Sequence, residues 1–201
     1  MKALKVSTCL FIPILLISEA LLAAPREVKF GRVTQNGSGC PQGTVIKSIS
    51  PDRKAFTLAF SDYVAEVGPG ISRRESRKNC LVGVELIYPS GWQFAVTKFD
   101  YRGYAALDRG VEAKQKTIYW FQGQDDHSAE SNIRGWFDDD YHYTDYVGTF
   151  NWSPCHSRRI LNVNSDIRLN NNRNRRGYGF MTMDSQDGSV AWEFGIRWRR
   201  C

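Results

Sequence analysis

The stretch GWFDDDYHYTDY, Gly135–Tyr146, sets three consecutive aspartates among aromatic residues, with a histidine two positions on. Its residue types suit a hard cation, a sugar ring, or no ligand at all. Calcium takes about six to eight oxygens from a folded loop. Asp138, Asp139 and Asp140, with Asp125 and Asp126, supply several. Adjacent strand residues point to opposite faces, however, and the order Asp-x-Asp-x-Asp-Gly is absent. The three aspartates are a weak calcium candidate, and the sequence calls for no metal or other cofactor. Asp is a poor strand residue and a good turn residue. The stretch is therefore expected to be a hairpin end with solvent-facing aspartates, leading into a strand from Tyr141 to Phe150.

The aromatics are the better lead. Trp136, Tyr141 and Tyr143 form one candidate ligand-binding set, and Tyr101, Arg102 and Tyr104 another. Such rings stack on sugars when exposed, and pack as cross-strand pairs when buried. Gly103 reads as a bulge, and Arg102 as a partner for a carboxylate.

Catalysis finds less support. His127, His142 and His156 share no ligand spacing, and Gly-x-Ser-x-Gly is absent. Glycoside hydrolysis needs two carboxylates facing each other across a cleft, ~5–10 Å apart, and nothing in the chain pairs two. A binding or surface-interaction module is favoured, with glycans as its candidate ligand and a carbohydrate-active enzyme as the alternative. A flat aromatic strip would favour the first, and a cleft with facing carboxylates the second.

The elements that must position these residues are strands. In SVAWEFGIRW, Val190, Trp192, Phe194, Ile196 and Trp198 fall on one face. In LNVNSDIRL, Leu161, Val163, Ile167 and Leu169 point inward, while Asn162, Asn164, Asp166 and Arg168 point outward. KAFTLAF, CLVGVELIY, WQFAVTKF and KQKTIYWF are similar runs. Pro51-Asp52, Pro89-Ser90-Gly91 and Asp187-Gly188 read as turns, the second as a hairpin. YAALDRGVEAKQK is the best helical candidate, but Gly110 cuts it. NNNRNRRG, Asn170–Gly177, reads as a solvated hairpin loop, with an anion-binding role for Arg173, Arg175 and Arg176 as the alternative. The sum is an all-β fold, an antiparallel jelly-roll-like sandwich.

Lys2 and Lys5 precede an apolar run from Leu10 to Ile17, and small residues follow it. Residues 1–20 therefore read as a signal peptide, with Ala23 and Ala24 offering later cleavage. The run is too short to span a membrane. Residues 21–201 are expected to form one secreted or periplasmic domain, a monomer. Losing Lys2, Lys5 and Glu19 takes the formal charge from +6 to +5. With so many acids present, that charge fits an extracellular glycan or cell-surface polymer and does not call for nucleic acid. Four cysteines remain. An even count in an exported chain implies two disulfides. Of three pairings, Cys40–Cys80 and Cys155–Cys201 are favoured because each joins neighbours within one half of the chain.

Several segments together carry a resemblance. They are GSGCPQGTV, FSDYVAEVGPG, SRKNC (Ser76–Cys80), YPSGWQFAV, DYRGYAALDRGV (Asp100–Val111), YWFQGQ, WSPC (Trp152–Cys155), TMDSQDG and the terminal WRRC. In this order and spacing, the chain resembles the domain of unknown function 4360 family of small secreted proteins in fungi and bacteria. The resemblance implies export, a β-rich fold and paired cysteines, and no assigned activity. Asp140-Tyr141 and Thr144-Asp145 match the family pattern, whereas Trp136, Phe137, Asp138, Asp139 and His142 do not.

Overall fold

The alternation of apolar and polar residues decides which face of each strand is buried. The computed structural model describes residues 24–183 and 192–201. Val190 and the Asp187-Gly188 turn lie outside the described residues, as does the leader. The strands are β1 (Lys29–Asn36), β2 (Val45–Ile49), β3 (Ala55–Phe60), β4 (Val64–Val67), β5 (Arg77–Ile87), β6 (Trp92–Leu107), β7 (Glu112–Phe121), β8 (His127–Arg134), β9 (Phe137–Tyr146), β10 (Leu161–Asn170), β11 (Gly179–Thr182) and β12 (Trp192–Arg200). They form two antiparallel sheets. One has five strands in the order β1-β5-β10-β7-β8. The other has seven, in the order β2-β3-β12-β6-β11-β4, with β9 also paired to β6. The expected β-sandwich is the fold.

The core lies between the sheets. Trp192, Phe194, Ile196 and Trp198 of β12 are buried, as are Leu161, Val163, Ile167 and Leu169 of β10. The rings of Phe56 and Phe194 stack at 4.5 Å, and Phe60 meets Trp192 at 4.4 Å. Tyr63, before β4, spans the sandwich: its hydroxyl donates to the Ser165 carbonyl of β10 at 2.8 Å. The disulfides join Cys40 to Cys80 and Cys155 to Cys201. The second ties the loop after β9 to the end of β12, where the Arg199 guanidinium lies 3.9 Å from the Trp152 ring centre.

Four local expectations need correction. Pro89-Ser90-Gly91 is no hairpin, because it carries the chain from β5 in one sheet to β6 in the other. Both edges of β5 are already paired, with β1 and β10, so β6 has no edge to join. The loop Asn170–Gly177 crosses between sheets for the same reason, since β10 is flanked by β5 and β7. YAALDRGVEAKQK forms no helix. It is the end of β6, a turn with Gly110 at φ +84°, and the first half of β7. Gly103 is not a bulge either, since it pairs in regular register with Tyr141. A Cβ there would collide with the Thr182 carbonyl and the Tyr141 ring, so glycine makes room for that tyrosine. The bulge in β6 is at Thr97, between the pairs Gly195–Lys98 and Ile196–Val96.

Replacing Tyr63 with Phe leaves the Ser165 carbonyl without that donor. The expected loss is about 1–3 kcal/mol in chemical denaturation of the oxidised protein, with the far-UV spectrum unchanged.

Candidate functional site

β6 and β9 carry all but one of the residues named in the two candidate sets, and their register sorts them. Tyr101 pairs with Tyr143, and Gly103 with Tyr141, on the inner face. Tyr101 and Tyr141 are core residues, and Tyr143 is half-buried beside both. Burial pushes the Tyr101 and Tyr141 hydroxyls up from their ordinary range. The Tyr141 hydroxyl donates to the Thr182 carbonyl at 2.5 Å. These rings pack the sandwich and offer no platform, because the alternation that exposes Arg102 turns Tyr101 inward. Arg102 and Tyr104 do reach the outer face, opposite His142 and Asp140. Arg102 makes no ion pair with a described residue. Trp136 stands apart, 90 % exposed in the connection between β8 and β9.

The aspartates face solvent as expected, but from within a strand. β9 begins at Phe137 and ends at Tyr146, not at Tyr141 and Phe150. Its ladder to β6 overrides the weak strand propensity of Asp, and its free edge leaves the carboxylates in water. Asp138 accepts a hydrogen bond from the Tyr104 hydroxyl, which raises the affinity of that hydroxyl for its proton. Asp139 accepts from the Asp140 N–H at 2.8 Å. Among the described residues, no three His, Cys, Asp or Glu side chains gather in a way that would hold a metal ion.

The same outer face contains one tight charge cluster. Asp100 is buried, and its carboxylate is bound by Lys98 and Thr144, with His142 Nε2 at 3.5 Å. Burial raises its proton affinity, but the hydrogen bonds from Lys98 and Thr144 outweigh that and hold the carboxyl below its usual range.

A second surface was not singled out in the sequence. It is the outer face of the five-stranded sheet, over β5, β10, β7 and β8. Register sets Asn79, Asp166, Lys116 and Glu130 in one rung, and Leu81, Asn164 and Ile118 in the next. Trp120 and Asn162 continue the face. Trp120 is half-buried, while its neighbours Tyr119 and Phe121 turn into the core. A groove of about 410 Å³ runs over this face. All its charged groups but Lys116 are paired with one another. Arg77 Nε donates to Asp166 at 2.6 Å, Arg168 Nε donates to the other Asp166 oxygen, and Lys114 pairs with Glu130 at 2.6 Å. The bond from Lys114 keeps the Glu130 carboxyl below its usual range. The outward positions of LNVNSDIRL and KQKTIYWF were legible one strand at a time. Their juxtaposition depends on pairing between distant segments.

Fold and surface define a disulfide-bonded secreted β-sandwich. The chain belongs to the family described as Domain of unknown function (DUF4360), whose model matches residues 26–201. An uncharacterized secreted protein of Arthroderma benhamiae is 44% identical over 181 residues, covering 88% of this chain and 73% of that protein. Among solved structures, TmCBM61 in complex with beta-1,4-galactotriose aligns with a TM-score of 0.31 at 13% identity, covering 86% of this chain and 91% of that one. The enzymatically active domain of bacteriophage CBA120 tailspike protein 4 aligns with a TM-score of 0.27 at 12% identity, covering 84% and 19%. Superpositions this loose carry no weight for fold or ligand. Among the described residues, no helix is long and apolar enough to cross a membrane.

The charge cluster yields a pH dependence. The folded Asp100 carboxyl binds its proton less tightly than an unfolded one, so its contribution is present above the ordinary value of 3.8 and lost as pH falls through the lower folded value. Asp100→Asn should lower stability by about 1–3 kcal/mol at neutral pH and flatten the acid limb of the stability curve below pH ~4. Urea denaturation from pH 2 to 7 checks both.

Proposed function

We propose that this protein is an exported glycan-binding module, a single sandwich over residues 21–201, whose ligand lies on the outer face of the five-stranded sheet. The observation that carries this is the composition of the β5-β10-β7-β8 rungs. They alternate apolar side chains, the flat ring of Trp120 and the aliphatic Ile118 and Leu81, with the amides of Asn79, Asn162 and Asn164. A sugar ring has an apolar face for the first and hydroxyls for the second. The ion pairs around Asp166 and Glu130 pre-order the charged donors and acceptors, so little freedom is lost on binding.

Binding fits this face better than hydrolysis. A general acid needs a carboxyl held above its ordinary range. Glu130 is held below it by the hydrogen bond from Lys114.

The test is titration of the mature oxidised protein against a panel of soluble plant, fungal and bacterial polysaccharides. At least one should bind, without release of reducing ends. Trp120→Ala and Asn164→Ala should each weaken binding by about tenfold, the loss of one good ring or amide contact, with melting temperatures near that of the parent. No binding across the panel, or binding indifferent to both substitutions, would count against this surface.

A further inference from the structure

One end of the sandwich is built almost entirely of loops. It gathers the β4–β5 connection (68–76), the β6–β7 turn (108–111) and the β10–β11 crossover (171–178). Hydrogen bonds lock the last two together. The Asp108 N–H donates to the Tyr178 carbonyl at 2.9 Å, and the Tyr178 N–H returns a bond to Asp108 Oδ2 at 2.8 Å. Asn174 Nδ2 donates to the Arg109 carbonyl at 2.9 Å. The β4–β5 loop is fastened to the base of β10 by the Leu169 N–H, which donates to the Ser76 carbonyl at 2.8 Å.

These loops hold six arginines, Arg73, Arg74, Arg109, Arg173, Arg175 and Arg176, all exposed, against two acids, Glu75 and Asp108. Both acids are engaged elsewhere. Glu75 pairs with Lys78 at 2.6 Å, and Asp108 caps Tyr178. Of the six arginines only Arg173 has an ion-pair partner among the described residues, Glu112 at 3.3 Å. The remaining positive charge is therefore not neutralised within the described fold.

The charge surrounds a shaped opening. A cavity of about 550 Å³ lies between the β4–β5 loop and the end of β10, and both Arg73 and Arg175 line it. Ser72, Asn171 and Asn172 add polar groups, and Glu66 also lines it. Ser76 and Leu169 of this cavity directly adjoin, in sequence, Arg77 and Arg168 of the groove on the five-stranded sheet.

We infer that this arginine-rich end binds acidic polysaccharide, with Arg73 and Arg175 holding a carboxylate or sulfate group of the polymer in the cavity. The class of ligand rests on the glycan-binding function proposed above, and the acidic character rests on the loops. A planar guanidinium donates two parallel hydrogen bonds to a carboxylate or sulfate. Two such groups lining one cavity with two asparagine amides and a serine hydroxyl, against the single carboxylate of Glu66, suit an anionic sugar unit better than a neutral one. Surrounding unpaired arginines raise the local concentration of a polyanion before it docks.

The experiment uses the mature oxidised protein, polygalacturonate and dextran sulfate as anionic probes, and neutral dextran, single-stranded DNA and phosphatidylserine vesicles as comparators. At low salt, at least one anionic polysaccharide should bind, and binding should weaken steeply as ionic strength rises through ~0.3 M. Arg73→Gln with Arg175→Gln should weaken it by about fivefold or more, the loss of two charge-assisted contacts, while the melting temperature stays near that of the parent. Arg175→Glu should weaken it further. Equal affinity for DNA or the vesicles, lost in the same variants, would overturn the inference in favour of another class of polyanion. Failure of both anionic probes to bind would overturn it outright. Anionic binding abolished by Trp120→Ala but unmoved by the arginine variants would overturn it while leaving the sheet-face function standing.

Discussion

Trp192 is fully buried, its ring meeting Phe60 at 4.4 Å and Phe99 at 5.8 Å. Phe194, two residues on, stacks on Phe56 and lies 4.8 Å from Phe99. This aromatic layer between the sheets sets the register on which everything else depends. Strand side chains alternate with a period of two, so fixing one inward ring fixes the face of the other residues on that strand as far as any bulge, such as the one at Thr97 in β6. With Trp192 and Tyr101 inward, Asp100 and Glu193 must lie outward. With Val163 and Ile167 inward, Asn164 and Asp166 must lie outward. A slip of one residue would expose the tryptophan and bury the carboxylates, a cost of several kcal/mol.

The two outer faces differ in how they spend their charges. On the seven-stranded sheet, Asp100, Lys98, Thr144 and His142 close on one another, and Glu193 adds a second partner to Lys98 at 3.3 Å. That cluster is compact and partly buried, and it stabilises the fold. On the five-stranded sheet the pairs are more open to water and alternate with amides and apolar side chains. The loop end beyond it leaves most of its arginines unpaired with any described acid. With six arginines against two acids, that end carries a net positive charge.

Much of the fold was legible from local pattern. The alternation in LNVNSDIRL and EFGIRW reports burial directly, and each disulfide joins successive cysteines within one half of the chain, 40 and 46 residues apart. The errors came from non-local pairing. Pro89-Ser90-Gly91 has good hairpin chemistry, but β5 had no free edge for β6. Asp138–Asp140 have poor strand chemistry, but β6 offered an edge and β9 took it. Tyr101 and Tyr141 looked like ligand rings because composition alone does not say which face of a strand is inside. The β5-β10-β7-β8 surface went unread because its rungs join residues up to about ninety positions apart, such as Arg77 and Arg168.

The proposed function sets a glycan on the outer face of the five-stranded sheet. Amide and indole chemical-shift mapping tests it most directly, using isotope-labelled mature protein and oligosaccharides cut from whichever polysaccharide binds it. Shifts should concentrate at the Trp120 indole and the Asn79, Asn162 and Asn164 side-chain amides, with Arg102 and Tyr104 on the opposite sheet undisturbed. Shifts clustered around Arg102, Tyr104 and His142, with Trp120 and the three asparagines unchanged, would contradict it.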